Sequence, residues 1–137
     1  MNSIIIADSS GIISLISESD KNHPLAEDVS LKLEKDKGSV IIPSEVFAET
    51  LNIAGKKLGH KIALSVADKI LSIKTFLISD TNEKIRNRAL EIFKHQPESV
   101  SFTDCIVMAN ADSFKTKDIF GFDEVFRKNG YKRLGVD

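Results

Sequence analysis

What this chain lacks sets its limits. It has a single cysteine, Cys105, so no intrachain disulfide can form, and a reducing, cytoplasmic setting is the expectation. It has no charge of one sign to spare: 19 basic residues meet 20 acidic ones. A protein that held nucleic acid by bulk electrostatics would show a basic excess, so charge alone argues neither for nor against such a partner. No apolar stretch approaches the ~20 residues that span a bilayer, so no membrane association is expected. The first isoleucine run is too short for a secretory h-region. There is no internal repeat and no low-complexity tract, and residues 1–137 are read as one domain. The glycines form neither a P-loop nor a Gly-x-Gly-x-x-Gly turn, and no Gly-x-Ser-x-Gly elbow occurs. His23, His60 and His95 are scattered, without a His-Glu-x-x-His pair, so surface or cap positions suit them better than metal ligation. Cys105 reads as a small buried filler.

What is present is an alternation of short β-branched runs and amphipathic stretches. Residues 3–7, with Ile4, Ile5 and Ile6 in succession, predict a strand buried on both faces, the mark of a central parallel strand. A helix from Ser9 to Ser19 follows, capped by Asp8 or Ser9. A second runs from Pro24 to Lys35. Ser39–Ile42 is the second strand. Pro43 opens a third helix to Leu58, with a core stripe of Phe47, Leu51, Ala54 and Leu58 flanked by Val46 and Ile53. A fourth spans Lys61–Ser72, with Ile62, Val66, Ile70 and Leu71 inward. Thr75–Ile78 is strand three, and helix five covers Asn82–Lys94. Helix six begins near Thr103. Asp118–Phe122 is strand four, Glu124–Lys128 a helical turn, and Lys132–Val136 a short last strand. Such alternation implies a three-layer α/β/α sandwich around a mostly parallel sheet of four to five strands.

Four acids stand where this architecture would place chemistry, since ligands in open α/β sheets sit at the carboxyl ends of the strands. Asp8 closes the first strand; taken alone, it fits a helix cap as well as a metal ligand. Glu49 lies inside the third helix at the margin of its apolar stripe, beside Val46 and Ile53. Glu45 sits further toward solvent in the first turn, where the helix dipole alone explains it. Asp104 opens the sixth helix, spaced from Ser101 like a capping box, with Thr103 beside it to orient it. Asp123 follows the fourth strand and can cap the turn at Glu124. Clustered carboxylates repel one another and raise each other's pKa, and a divalent cation removes that cost. An all-carboxylate donor set favours Mg²⁺ or Mn²⁺ over zinc. Such ions activate water and stabilise a phosphoryl oxyanion. Of the basic groups, Arg127-Lys128 with Lys132-Arg133 lies nearest an acid and is the best candidate to hold phosphates.

These segments together resemble the PIN domain, a small nuclease fold, and within it the VapC-type toxins of toxin–antitoxin pairs. Ile5-Ile6-Ala7-Asp8-Ser9-Ser10 resembles the first motif, and Ile42-Pro43-Ser44-Glu45-Val46-Phe47-Ala48-Glu49 the second. Ser101-Phe102-Thr103-Asp104-Cys105 resembles the third, and Ile119-Phe120-Gly121-Phe122-Asp123 the fourth. The resemblance implies a Mg²⁺- or Mn²⁺-dependent ribonuclease with Asp8, Glu49, Asp104 and Asp123 as metal and catalytic residues and Ser9 and Thr103 supporting them. It implies RNA as substrate, a homodimer, and a cognate antitoxin that blocks the site. One departure stands out: the family often has Ser or Thr two residues before the last acid, where this chain has Gly121.

Two other readings compete. A receiver-type signalling domain also alternates strands and helices, and would be phosphorylated at Asp80 after the third strand; it would show an acidic pair after the first strand, where this chain has Asp8-Ser9. A non-catalytic PIN-like binding module is the other, and Gly121 is the feature that favours it.

Overall fold

Ile5, Ile6 and Ala7 are fully buried and form the middle of the sheet, as their composition requires. A computed structural model describes residues 3–137. In chain order the elements are β1 (Ile4–Ala7), α1 (Ser9–Ile16), α2 (His23–Lys35), β2 (Ser39–Pro43), α3 (Ser44–Leu58), α4 (His60–Ser72), β3 (Phe76–Ser79), α5 (Glu83–Phe93), α6 (Phe102–Ser113), β4 (Asp118–Phe120), α7 (Glu124–Lys128) and β5 (Lys132–Arg133). The five strands are ordered β3-β2-β1-β4-β5, and every pairing is parallel. The expected sandwich is therefore present, with a sheet that is wholly rather than mostly parallel.

Alternation along the central strands assigns the two faces. Ile6 and Ile119 join the larger core with Val107 and Met108 of α6 and Ala89 of α5. Ile5 and Phe120 point the other way and pack with Ala26 and Val29 of α2. Helix α1 lies so close to β4 that a Cβ on Gly11 would sit 2.2 Å from the Phe120 carbonyl oxygen; only glycine admits this approach.

Several boundaries and faces differ from the sequence expectation for local reasons. Helix α1 ends at Ile16 rather than Ser19, because Ser17 is extended and the Ser14 hydroxyl is drawn to Asp20 Oδ1 at 2.9 Å. Strand β4 ends at Phe120 rather than Phe122, and the Phe122 N–H donates to the Ser10 hydroxyl at 3.0 Å instead of to a strand. Strand β5 is two residues long. The buried stripe of α3 is Val46, Thr50 and Ala54, with Leu58 exposed. Thr50 is admitted because its hydroxyl donates to the Val46 carbonyl at 2.7 Å. On α4 the inward residues are Ala63, Val66 and Ile70, while Ile62 and Leu71 are exposed. That helix packs mainly on α3 and the edge strand β3, so a narrow stripe suffices.

The topology also excludes the receiver reading. Receiver domains follow the strand order 2-1-3-4-5, which puts their third strand at the centre. Here β3 is an edge strand, so Asp80 lies at the rim of the sheet, away from the end of β1.

Candidate active site

Asp8 is the residue around which the carboxyl end of the sheet is built. Its main-chain N–H continues the ladder to the Phe120 carbonyl at 2.9 Å. Its side chain is 5% exposed. Oδ2 accepts from the Ser10 hydroxyl at 2.8 Å and from the Ser10 N–H at 3.4 Å, so the helix-capping role expected of it is real. The same Ser10 hydroxyl accepts from Phe122 N–H, and this one group clamps the start of α1 to the segment leaving β4. Burial pushes the Asp8 carboxyl up from 3.8 to about 6, the two Ser10 contacts hold it down, and the Glu49 charge raises it further.

Glu49 projects from α3 at the margin of the buried stripe. Partial burial raises its pKa first, and the charge of Asp104 second, while the Ser9 hydroxyl lowers it. Asp104 stands in the first turn of α6, where its main-chain N–H donates to the Ser101 hydroxyl at 3.1 Å. Its carboxyl is pushed from 3.8 to about 6, by burial first and then by the charges of Asp8 and Asp123. Asp123 caps α7, its Oδ1 accepting from Val125 N–H at 3.0 Å. Charge repulsion thus links Asp8, Glu49 and Asp104, and Asp123 adds to it at Asp104. None of the ion pairs among the described residues involves any of them.

The donor set fits a hard divalent cation: four carboxylates, two of them strongly destabilised as anions, with no lysine or arginine paired to them. Among the described residues, no three His, Cys, Asp or Glu side chains are gathered closely enough to hold an ion by themselves. A small ion that keeps several waters and takes only one or two carboxylates directly suits such a site better than an all-protein cage. A cleft of about 550 Å³ opens against Asp104 and Asp123. A larger cavity of about 710 Å³ lies at the amino ends of β2 and β3, lined by Val40, Thr75 and Phe76, and it holds none of the four acids.

The remaining expected residues divide. Ser9 is buried and faces Glu49. Thr103 is half-buried without a side-chain hydrogen bond, and Ser101 makes the orienting contact to Asp104 instead. Arg127 and Lys128 are exposed and both reach Glu124; Lys128 also lines the cleft. Glu45 is held at a distance from the group by the Thr81 hydroxyl, which donates to it at 2.9 Å. Cys105 is fully buried, and burial followed by the Asp104 charge raises its thiol to about 11, which leaves it inert. His23 serves structure, with Nδ1 2.8 Å from the Ser14 carbonyl.

Ser10 rather than Ser9 holds the Asp8 carboxylate, and the sequence carries a signal for it, since a serine two positions after a capping acid is well placed to meet its carboxylate. Gly121 stands where the resemblance leads to Ser or Thr. Its own geometry gives a reason for glycine: a Cβ there would lie 2.8 Å from the Asp8 Cβ and 3.1 Å from Phe126 Cε2.

Three comparisons with known proteins bear on this geometry. The sequence model of the PIN domain matches residues 5–131. Among solved structures, this fold is similar to the crystal structure of Mycobacterium tuberculosis VapC20, described as a Sarcin-Ricin loop cleaving toxin. The TM-score is 0.84 at 21% sequence identity, over 96% of this chain and 98% of that one. No curated protein matches the chain at a significant level.

Proposed function

This chain belongs to the PIN domain family, and from that premise we propose that it is a divalent-metal-dependent endoribonuclease acting as the toxin of a toxin–antitoxin pair. The observation that carries the reading is the set of mutually coupled, unpaired carboxylates at the carboxyl end of the sheet. The likeness to VapC20, a toxin that cleaves RNA, supports the toxin assignment.

Asp8, Asp104, Glu49 and Asp123 would hold Mg²⁺ or Mn²⁺. The bound ion supplies activation of water and neutralisation of charge on the phosphate. The chain's own groups do the rest. Ser10 fixes Asp8 through Oδ2, and Asp8 would keep its other carboxylate oxygen free of that contact to help hold the ion. Ser101 fixes the first turn of α6 and with it Asp104. Glu49, whose carboxylate burial and the Asp104 charge disfavour, would gain from the cation and help to orient the attacking water, which gives up its proton to solvent. Water oxygen bonds to phosphorus, the phosphorus–oxygen bond to the leaving ribose oxygen breaks, and that oxygen takes a proton from solvent. Lys128, on the rim of the cleft, is placed to hold a flanking phosphate, and Arg127 steadies the same turn through Glu124.

We also propose a homodimer and a cognate antitoxin. Exposed Leu58, Ile62, Leu64 and Leu71 on α3 and α4 support an interaction face. Among the described residues no helix is long and apolar enough to cross a membrane. Cytoplasmic action is proposed from the single buried thiol.

Purified protein is expected to cut RNA with Mn²⁺ or Mg²⁺ and to stop in EDTA. Asp8→Asn and Asp104→Asn are expected to abolish cleavage while both variants keep a cooperative melt. Undiminished cleavage by both would contradict the assignment.

A further inference from the structure

The cleft beside Asp104 and Asp123 has a second wall that the acids do not explain. There the loop after α5 meets the end of α7 through two side-chain amides. Gln96 Nε2 donates to Asn129 Oδ1 at 2.9 Å, and Asn129 Nδ2 donates to Gln96 Oε1 at 3.0 Å. Main-chain carbonyls fix both orientations: Gln96 Nε2 also donates to Ile92 O at 3.3 Å, and Asn129 Nδ2 to Val125 O at 2.8 Å. A carbonyl only accepts, so neither amide can flip without losing a bond. Every N–H of the two amides is therefore used. Each amide oxygen keeps one further lone pair, so the pair offers a ligand acceptors alone. Asp104, Asp123 and Glu124 line the same cleft and also accept, Lys128 and Ser99 supply donors away from the amide pair's own atoms, and Pro97, Val100 and Val125 supply apolar surface. The volume of about 550 Å³ falls in the range of small-molecule sites, far beyond what one ion fills.

We propose that this cleft is a nucleoside subsite that selects a base bearing an exocyclic amino group over uracil. The placement of the scissile phosphate rests on the ribonuclease reading; the selection rests on the amide pair. Adenine and cytosine each present an amino donor on their pairing edge. Uracil presents one ring N–H between two carbonyls, so an edge docked on the amide pair would set a carbonyl against an amide oxygen whose N–H groups are already spent. A site that hydrogen-bonds a ligand donor discriminates against an analogue without it, because the acceptor is then desolvated and unpaired. The apolar strip suits the faces of a base turned out of a single strand.

Neutral nucleosides test this without metal and without repulsion from the acids. In EDTA, adenosine and cytidine titrated into the full chain are expected to shift the backbone amide resonances of Val100, Val125 and Asn129. Their affinity should exceed that of uridine by roughly fivefold or more. Gln96→Met removes one acceptor at constant length and is expected to bring that ratio toward one. Gln96→Met is expected to keep a cooperative melt and unchanged amide resonances in the central sheet, which separates the loss of an acceptor from a loss of fold. With Mn²⁺, cleavage sites in a random-sequence RNA should be depleted of uridine roughly tenfold at one position beside the cut, and Gln96→Met should relax that depletion.

Equal shifts from all three nucleosides overturn the subsite, as do shifts confined to the cavity at the amino ends of β2 and β3, or no binding at all. Selective nucleoside binding without any RNA cleavage would leave the subsite standing and remove the ribonuclease reading. Cleavage with no base preference would do the reverse.

Discussion

Asp8 and Asp112 are acids of the same type in opposite situations. Asp112, on α6, accepts from the Tyr131 hydroxyl at 2.7 Å and from Arg88 Nε at 2.8 Å. Arg88 is raised in return, first by that hydrogen bond, and the Tyr131 hydroxyl is raised by burial and then by Asp112. Arg133 and Asp137 form a similar closed pair, which lowers the Asp137 carboxyl and also ties Arg133 to the Phe122 carbonyl. Asp8 is more buried than Asp112 and has only serine for a partner. The contrast separates the two uses of a buried acid. Where the fold supplies a cation or a full set of donors, the acid holds elements together. Where it supplies none and adds further acids, the fold itself is penalised, and the arrangement makes sense as a place for a cation from outside.

The largest test of this contrast is Asp8→Asn. Cleavage should fall by roughly three orders of magnitude, the effect of losing about 4 kcal/mol of transition-state stabilisation. A buried carboxyl raised from 3.8 to about 6 weighs against the fold by about 3 kcal/mol at neutral pH. Asparagine carries no charge and can still accept from Ser10, so the metal-free variant should melt higher than wild type by calorimetry. Gly121→Ala comes next. Its Cβ would press on the Asp8 Cβ, and a loss of about 1–3 kcal/mol in urea unfolding is expected, with reduced cleavage. Asp112→Asn should act in the opposite sense to Asp8→Asn. It should cost about 1 kcal/mol, since Arg88 is half exposed and its pairing is screened, and cleavage should stay within a few-fold of wild type.

The pH dependence of the metal-free protein reads the same penalty without any substitution. Asp8 and Asp104 have folded-state pKa values near 6 against an ordinary 3.8. Between those values the native state binds more protons than the unfolded state, so stability contributed by these groups grows as pH falls from about 7 toward 4. Asp137 and Glu124, lowered by arginine and lysine partners, work the other way, but only below the ordinary carboxylate range. Melting temperature in EDTA should therefore rise modestly between pH 7.5 and pH 5, and Asp8→Asn should flatten that rise.

Much of this was legible in the sequence because burial writes strong patterns. Ile4-Ile5-Ile6 followed by Asp8 gave the central strand and its closing acid, and the strand–helix alternation gave the layers. Glu49 was separable from Glu45 by its place beside Val46, since position on a helix is set by 100° per residue. Other features were not readable because they depend on a distant partner. The Ser10 hydroxyl matters through Phe122, 112 residues away. Gly121 is explained by a Cβ that only the folded chain brings near. On α3 and α4, Phe47, Leu51, Ala54, Val66 and Ile70 pack inward as their spacing predicts, but Thr50 is also buried once its hydroxyl is satisfied within its own helix, and an edge layer leaves Leu58, Ile62 and Leu71 uncovered. The Gln96–Asn129 pair joins two loops that no periodicity connects.

The acids at the carboxyl end of the sheet should be stabilised by a divalent cation. Thermal unfolding of wild type and Asp8→Asn, each with EDTA and with excess Mn²⁺, tests it most directly. Wild type should melt several degrees higher with Mn²⁺, as expected when an ion binds the native state alone. Asp8→Asn should start higher than wild type in EDTA and gain little from the ion. A wild-type melting point indifferent to Mn²⁺, together with an Asp8→Asn variant less stable than its parent, would contradict it.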